Sequence, residues 1–276
     1  MLFTASLVTY HHALNDIRPV VEGVLDSGCE RFYIVDNSAS ASLAAELSSF
    51  DDPRIDYIPR ENRGFGAGHN AAIARAAGTG AMVHFIINPD IEFAHGVLDK
   101  IAGFMAEHPE IGMLMPKIIK PDGTPDYNCK LVPTPMDLIS KRFFPGFMKK
   151  KRMHRFMMKD FDHDQILDVP YLCGCFLALS TAALAKYGAF DERFFMYPED
   201  IDLTRRFFAS GCRTIYYPDV EVIHHHEQAS YKNWKMLKIH IVNMIRYFNK
   251  WGWIFDRELR ILNRRALELN SFRRNS

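Results

Sequence analysis

The sequence predicts an α/β fold: a doubly wound, mostly parallel sheet followed by a helical C-terminal extension. In the first 115 residues, short apolar runs alternate with segments in which apolar residues recur at helical spacing. Beyond residue 230 the strand-like runs stop, and the apolar residues recur at helical spacing only. With 276 residues and 48% hydrophobic content, the chain can bury a substantial core.

The first part of the chain contains five predicted strands. They are expected at residues 3–9, 31–35, 55–58, 82–87 and 111–115. The first helix is expected to begin at Asn15, a plausible N-cap, and to stop before Gly28. Further helices are expected over 43–47, 67–77 and 97–105. Strands that alternate with helices pair in parallel, because each helix returns the chain to the same end of the sheet.

The second part of the chain is less regular. Residues 120–165 are rich in Pro, Lys, Arg, Met and Phe, which predicts a basic insertion or lid. Strands are then expected over 169–180, 213–217 and 220–223, with a helix over 198–210 between them. An amphipathic helix over 231–248 and a basic helix over 256–269 follow. We therefore expect one domain over residues 1–229 and a helical extension over residues 230–276.

Charge is unevenly distributed along the chain. The net charge is only +1, but residues 230–276 hold eleven Lys and Arg against three Asp and Glu, and residues 117–159 hold the same balance. A basic amphipathic extension is typical of helices that lie on an anionic membrane surface. The alternative is an extension that packs on the domain and turns its basic face to solvent. We expect no nucleic-acid partner.

The cysteines and the hydropathy of the chain indicate a reducing compartment. Five cysteines, an odd number in a chain this long, provide no disulfide framework. No run approaches the roughly 20 apolar residues that a membrane-spanning helix needs, and the N-terminus lacks the pattern of a signal peptide. We therefore expect a cytoplasmic protein.

Two acids lie where predicted strands end. Sheets of this kind bind ligands beyond the carboxyl ends of their strands. Asp36 could accept a hydrogen bond from a ribose or a base, or it could cap its own turn. Asp90, in the sequence Asn88-Pro89-Asp90, could bind a divalent cation together with substrate phosphates, or the tripeptide could serve only as a turn.

A glycine-rich loop opens the predicted helix that begins near residue 67. The sequence ENRGFGAGHNAA, residues 61–72, could direct backbone N–H groups at an anion. It matches neither the dinucleotide-binding fingerprint nor a P-loop. The alternative is that its glycines permit close packing.

Two further clusters could carry chemistry. Glu199, Asp200 and Asp202 occupy the first turn of a predicted helix, where the helix dipole favours acids and where one acid could take a proton from a bound hydroxyl. His224, His225 and His226 end a strand-like run. Imidazole binds manganese-like ions, but a surface histidine cluster is often only solvated.

The order of these motifs resembles that of family 2 glycosyltransferases of the GT-A fold. The resemblance covers about residues 3–230: a Thr-Tyr pair after the first strand, IVDNS after the second, ENRGFGAGHN, the Asn-Pro-Asp strand end, a glycine-containing strand, FDERFFMYPEDIDLTRRF and IHHH followed by Ser230. Asn-Pro-Asp in place of Asp-x-Asp resembles the rhamnosyltransferase branch, which builds bacterial surface polysaccharides.

The resemblance implies specific roles. Asp200 would be the catalytic base, and Asp90 and His224 would bind the metal, Mn²⁺ or Mg²⁺. Because Asn88 replaces the first acid of the common pattern, weak metal affinity is expected. The residues expected to bind the nucleotide sugar are Thr9, Tyr10, Asp36, Asn62, Gly64, Gly66, Asn70, Asn88, Gly174 and Glu199.

The resemblance also implies substrates and a reaction. The donor would be a nucleotide-diphosphate sugar, with rhamnose as the sugar, and the acceptor a glycan or a polyprenyl-diphosphate-linked glycan at the inner face of the cell membrane. One displacement would invert the anomeric centre. The rival classes are a nucleotidyltransferase, for which VTYHHALND lacks the basic residues that grip a triphosphate, and a non-catalytic carbohydrate- or nucleotide-binding protein.

Overall fold

The computed structural model describes residues 1–38, 42–137, 146–225 and 234–274. The strands are β1 (Phe3–Thr9), β2 (Arg31–Asp36), β3 (Ile55–Pro59), β4 (Val83–Ile87), β5 (Ile91–Phe93), β6 (Ile111–Ile119), β7 (Cys129–Lys130), β8 (Leu167–Asp168), β9 (Tyr171–Leu172), β10 (Phe176–Ser180) and β11 (Arg213–His224). The α-helices are α1 (Leu14–Leu25), α2 (Ser42–Leu47), α3 (Phe65–Ala76), α4 (Val97–Glu107), α5 (Gly146–Phe156), α6 (Thr181–Tyr187), α7 (Glu199–Ala209), α8 (Trp234–Trp251) and α9 (Arg257–Arg274).

The described residues form a nine-stranded sheet in the order β3-β2-β1-β4-β10-β6-β11-β5, with β8 paired to β11. Strands β1 to β4 pair in parallel, and so do β6 and β11, whereas β10 runs antiparallel between β4 and β6. Strands β1, β2, β3, β4, β6 and β11 therefore share one direction, which confirms the predicted mostly parallel sheet. Their carboxyl ends form one rim, and β10 begins at the same rim.

The sheet is covered by helices on both faces because both faces of its central strands are apolar. Leu7 and Ile34 belong to the large core cluster that includes Ile17 of α1 and Leu98 of α4. The neighbouring residues Val8 and Val35 point to the other face and pack with Ala72 and Ala76 of α3. This alternation along single strands is what a doubly wound sheet requires.

Two boundaries differ from those expected. The N-cap of α1 is Ala13, not Asn15, because the Asp16 carboxylate accepts a hydrogen bond from the Ala13 N–H at 2.8 Å. The runs expected as two strands at 213–217 and 220–223 form the single strand β11, whose pairing with β6 is irregular between Tyr217 and Glu221. An irregularity of this kind bends a strand without ending it.

The described part of the basic segment 120–165 contains regular structure. β7 pairs with β9 in a separate two-stranded sheet, and the Leu131 N–H donates to the Phe156 carbonyl at the end of α5. Residues 138–145 lie outside the described residues. Through β7, the basic segment pairs with β9, the strand directly before Cys173-Gly174-Cys175.

The C-terminal helices pack on α7. Met244, Tyr247 and Phe248 of α8 form a buried cluster with Phe194 and Ile201. A second cluster joins Leu259, Leu262 and Ala266 of α9 to Val132 and Phe208.

A buried ion pair reinforces this packing. The Arg205 guanidinium donates to the Asp256 carboxylate at 2.7 Å and to the Glu258 carboxylate at 2.9 Å. It also lies 4.0 Å from the ring centroid of Trp251. Helices α8 and α9 are therefore docked on α7.

Among the described residues, no helix combines the length and the apolar composition needed to cross a membrane.

Candidate active site

The ends of β1 and β2 form the first part of the rim. Asp36 is buried, and its carboxylate accepts hydrogen bonds from the Tyr57 hydroxyl at 2.6 Å and from the Ser38 N–H at 2.9 Å. Burial alone would raise its pKa, but the hydrogen bonds from Ser38 and Tyr57 outweigh burial, so the pKa of Asp36 is lowered. Asp36 is therefore a fixed, ionised acceptor in register with Thr9, the residue before the exposed Tyr10.

Tyr57 was missed in the sequence. It lies on β3, which the sequence predicts as a strand, but its contact with Asp36 depends on the pairing of β2 with β3. The sequence does contain one indication of this contact: Tyr57 lies in the predicted strand that follows the strand ending at Asp36.

The glycine-rich loop packs closely on the segment before α7. The Asn62 side chain accepts from the Gly64 N–H at 2.9 Å, and the Phe65 N–H donates to the Phe195 carbonyl at 3.0 Å. Gly64 has a φ of +103°, and a Cβ there would lie 2.2 Å from the Phe195 oxygen. These contacts favour the packing interpretation of the loop.

Gly66 and Asn70 extend the same contact. A Cβ on Gly66 would lie 2.8 Å from Cβ of Phe190, and the Asn70 side chain exchanges two hydrogen bonds with the Phe190 backbone, at 2.9 and 3.0 Å. α3 therefore holds the chain that leads into Glu199.

Asp90 and His224 are in contact at the opposite side of the rim. The antiparallel pairing of β5 with β11 places His224 opposite Ile91, and His224 Nε2 lies 3.1 Å from Asp90 Oδ2. Burial would lower the pKa of His224, but the hydrogen bond and charge of Asp90 raise it above its usual value. The next residue, His225, pairs with Glu92 at 2.9 Å.

The residues around Asp90 fit a divalent cation shared with a substrate. Asn88 Oδ1 is buried and has no hydrogen-bond partner among the described residues. Within those residues no group of three or more His, Cys, Asp and Glu forms a closed metal site, and His226 lies outside them. One carboxylate, one imidazole and one amide oxygen would leave positions for phosphate oxygens, as is usual for Mg²⁺ at nucleotides.

Asp200 lies at the start of α7, against the loop between β9 and β10. Its carboxylate accepts from the Gly174 N–H at 3.0 Å and from the Ile201 N–H at 2.7 Å. Burial, followed by the charges of Cys173 and Glu199, raises the pKa of Asp200 well above its usual value. A Cβ on Gly174 would lie 3.1 Å from Cβ of Asp200, so a side chain there would crowd the acid.

The other two acids of this turn have different surroundings. Burial raises the pKa of Glu199 to about 7, and its Oε2 has no hydrogen-bond partner among the described residues. Asp202 is fully buried and bound by Arg206 at 2.9 Å, Lys250 at 2.6 Å and Trp251 at 2.8 Å. Asp202 therefore fastens α8 to α7 and is not available to a substrate.

One short segment connects the Asp90 side of the rim with the Asp200 side. The Cys175 carbonyl accepts from the Asn88 N–H at 2.9 Å, and the preceding residue, Gly174, donates to Asp200. The turn that carries Asp90 and the helix that carries Asp200 are thus fixed relative to each other through adjacent residues.

Comparison with known proteins identifies the family of the chain. Residues 7–188 match the glycosyl transferase family 2 model. The N-acetylglucosaminyl-diphospho-decaprenol L-rhamnosyltransferase of Mycobacterium tuberculosis is 29% identical over 247 residues, 77% of each chain. The rhamnosyltransferase WbbL of Escherichia coli K12 is 26% identical over 250 residues, 87% of this chain and 90% of WbbL.

Solved structures with little sequence identity share the fold. GalNAc-T7, solved with UDP, GalNAc and Mn²⁺, superposes with a TM-score of 0.65 at 12% identity over 93% of this chain, which spans about half (48%) of that one. The mannosyltransferase PcManGT of Pyrobaculum calidifontis, solved with GDP-Man and Mn²⁺, gives 0.59 at 15% identity, over 98% of this chain and 74% of that one. The chain therefore belongs to glycosyl transferase family 2 and is a glycosyltransferase of the GT-A fold.

Proposed function

We propose that this glycosyltransferase moves rhamnose from a nucleotide-diphosphate donor to a polyprenyl-diphosphate-linked glycan, with inversion at the anomeric carbon. The observation that carries the proposal is the connection of Asp90 and Asp200 across one rim through Gly174 and Cys175. The sugar is suggested by the names of both relatives, and the acceptor by the name of the mycobacterial relative.

Donor binding uses the ends of β1, β2 and β4. Asp36, ionised and held by Tyr57, accepts a hydrogen bond from the base, and Thr9 and Tyr10 line the pocket around it. Asp90 and His224, with Asn88 Oδ1, would hold Mn²⁺ or Mg²⁺ against the diphosphate. The bound ion would stabilise the negative charge that develops on the leaving nucleoside diphosphate.

Asp200 takes the proton of the acceptor hydroxyl as that hydroxyl attacks the anomeric carbon. Its raised pKa makes it a stronger base than an exposed aspartate, and the Gly174 and Ile201 N–H groups fix its orientation. Attack from the face opposite the leaving diphosphate is a single displacement, which inverts the configuration.

The proposal is tested by thermal unfolding with a panel of nucleotide sugars, each with and without Mn²⁺. A ligand at about 100 times its dissociation constant stabilises the folded state by about 2.7 kcal/mol. We expect a nucleoside-diphosphate rhamnose to raise Tm more than other nucleotide sugars, and Mn²⁺ to increase the effect in the wild type but much less in Asp90→Ala.

The same panel separates the rival classes. A nucleotidyltransferase would be stabilised by a nucleoside triphosphate more than by any nucleotide sugar. A non-catalytic binding protein would be stabilised by the donor and yet release no nucleoside diphosphate when an acceptor is added. Absence of stabilisation by every nucleotide sugar would refute the proposal.

We also propose that the corner between α8 and α9 attaches the enzyme to an anionic membrane surface. Ile254 and Phe255, between the two helices, are 75% and 92% exposed. Phe255 itself lines a cavity of about 380 Å³ together with Arg257, Arg260, Arg264 and Arg265 of α9. Exposed apolar residues flanked by arginines match the chemistry of an anionic lipid surface.

Liposome sedimentation tests this attachment. The double variant Ile254→Ser, Phe255→Ser should bind phosphatidylglycerol vesicles at least about tenfold more weakly than the wild type, because burial of one such side chain contributes about 1.5–3 kcal/mol. Met82→Ser, which changes an exposed apolar residue just before β4, is the matched control. Equal vesicle binding by the double variant, the control and the wild type would exclude the corner as the anchor.

A further inference from the structure

A lysine from the basic segment reaches the base side of the site. Lys130 ends β7, which pairs antiparallel with β9 so that Lys130 lies opposite Tyr171. Its Nζ is 5.1 Å from the ring centroid of Tyr171 and 3.4 Å from Oδ1 of Asn128. Both contacts are with neutral groups, so neither neutralises the ammonium charge.

β9 places this ammonium on the side of Asp200. The Leu172 N–H donates to the Thr204 hydroxyl of α7 at 3.4 Å, one turn beyond Asp200, and Gly174, which binds Asp200, follows two residues later. The charge of Lys130 also lowers the pKa of Asp200, in opposition to burial. Lys130 therefore faces the region where the acceptor hydroxyl must lie.

An acceptor of the proposed kind carries its anion close to that hydroxyl. The diphosphate is attached to the anomeric carbon of the acceptor sugar, one sugar ring away from the hydroxyl that attacks. The donor diphosphate, in contrast, would lie with Asp90 and His224. A lysine ammonium is a compact point charge that commonly binds phosphate oxygens.

We propose that Lys130 binds the diphosphate of the acceptor and thereby selects lipid-linked diphosphate glycans over neutral glycans. The proposal rests on the proposed function. It gives the basic segment 120–165 a role in acceptor recognition, since β7 is part of that segment.

The test compares two acceptors that carry the same sugar, one on a short polyprenyl diphosphate and one as a neutral octyl glycoside. Steady-state kinetics at saturating donor are measured for the wild type, Lys130→Gln and Lys130→Arg. We expect Lys130→Gln to raise KM for the diphosphate acceptor about tenfold to hundredfold, the usual range for a lost hydrogen bond to a charged group. The KM of Lys130→Gln for the octyl glycoside and for the donor should change less than about threefold. Lys130→Arg, which keeps the positive charge, should have a KM for the diphosphate acceptor close to that of the wild type.

Each other outcome is decisive. Equal losses with both acceptors would refute the proposal, because they would indicate a role in packing or in tuning Asp200. A raised donor KM would assign Lys130 to the donor diphosphate instead. Wild-type protein that transfers sugar to neither acceptor would refute the proposed function, and this inference with it.

Discussion

Gly64 occupies a backbone conformation that other residues rarely adopt, with a φ of +103° beside the Phe195 carbonyl. Gly64→Ala should therefore reduce the free energy of unfolding by at least about 1–3 kcal/mol, from backbone strain and from displacement of Phe195. Urea unfolding measures this loss. Because Phe195 lies just before Glu199, the variant should also transfer sugar more slowly.

Gly78→Ala is the matched control for Gly64→Ala. A Cβ on Gly78 would meet nothing within 4 Å, and its φ is not positive. This control should unfold at nearly the same urea concentration as the wild type. Equal stability of both variants would contradict the packing interpretation of the glycine-rich loop.

At the scale of single residues, the sequence identified the acids but could not separate their roles. Glu199, Asp200 and Asp202 all lie in one helical turn, and each is favoured there by the helix dipole. Their differences come from partners distant in sequence: Gly174 for Asp200, and Lys250 and Trp251 for Asp202. No local pattern specifies such partners.

At the scale of elements, the docking of α8 and α9 on α7 depends on the buried Arg205. Arg205→Met should reduce the free energy of unfolding by about 3–5 kcal/mol, since it leaves Asp256 without its buried partner. Arg18→Met, which breaks an exposed pair with Glu22, should cost less than about 1 kcal/mol. Urea unfolding of both variants checks the difference, and similar losses would argue against a stabilising role of the buried pair.

Two buried histidines connect β1, β4 and α3 and should make stability depend on pH. The Ser6 hydroxyl lies 2.8 Å from His69 Nδ1 and 2.8 Å from His84 Nε2. Burial lowers the pKa of His84 from 6.5 to about 3 and lowers that of His69 as well. The neutral forms are therefore favoured in the folded state, while unfolded histidine takes up a proton near its ordinary pKa.

The stability that these histidines contribute is thus present above about pH 6.5 and is lost as the pH falls toward 3. His84→Gln should reduce the slope of the free energy of unfolding against pH by up to about 1.4 kcal/mol per pH unit between pH 6 and 5. Urea unfolding at several pH values measures the slope. An unchanged slope would show that His84 is not held neutral.

Hydrophobic periodicity predicted most elements of the first 115 residues because these strands and helices bury regular apolar faces. The periodicity predicted two strands in place of β11, because Pro218 interrupts the apolar pattern. In the structure, the pairing of β11 with β6 is interrupted after Tyr217 and resumes at Glu221. The periodicity also gave no sign of β7, whose two residues are too few to show a period, whereas β9 lies within the strands expected over 169–180.

At the scale of the whole molecule, the two basic segments meet. Arg155 from α5 and Arg260 and Arg264 from α9 line one cavity, although they are about a hundred residues apart in sequence. The sequence showed two basic segments but not their proximity, because charged surface residues carry no pattern that specifies a tertiary contact. The docked extension therefore serves both packing and, by our proposal, attachment to lipid.

The sugar-transfer rate of Asp200→Asn is the most direct test that this rim catalyses transfer with Asp200 as its base. Asn is nearly isosteric and keeps an acceptor for the Gly174 N–H, but it cannot take the acceptor's proton. Turnover at saturating donor and acceptor should fall by about 10² to 10⁴, with an unchanged dissociation constant for the donor and a smaller loss in Glu199→Gln. Turnover above about a tenth of the wild-type value, or equal losses in both variants, would contradict the assignment of Asp200 as the base.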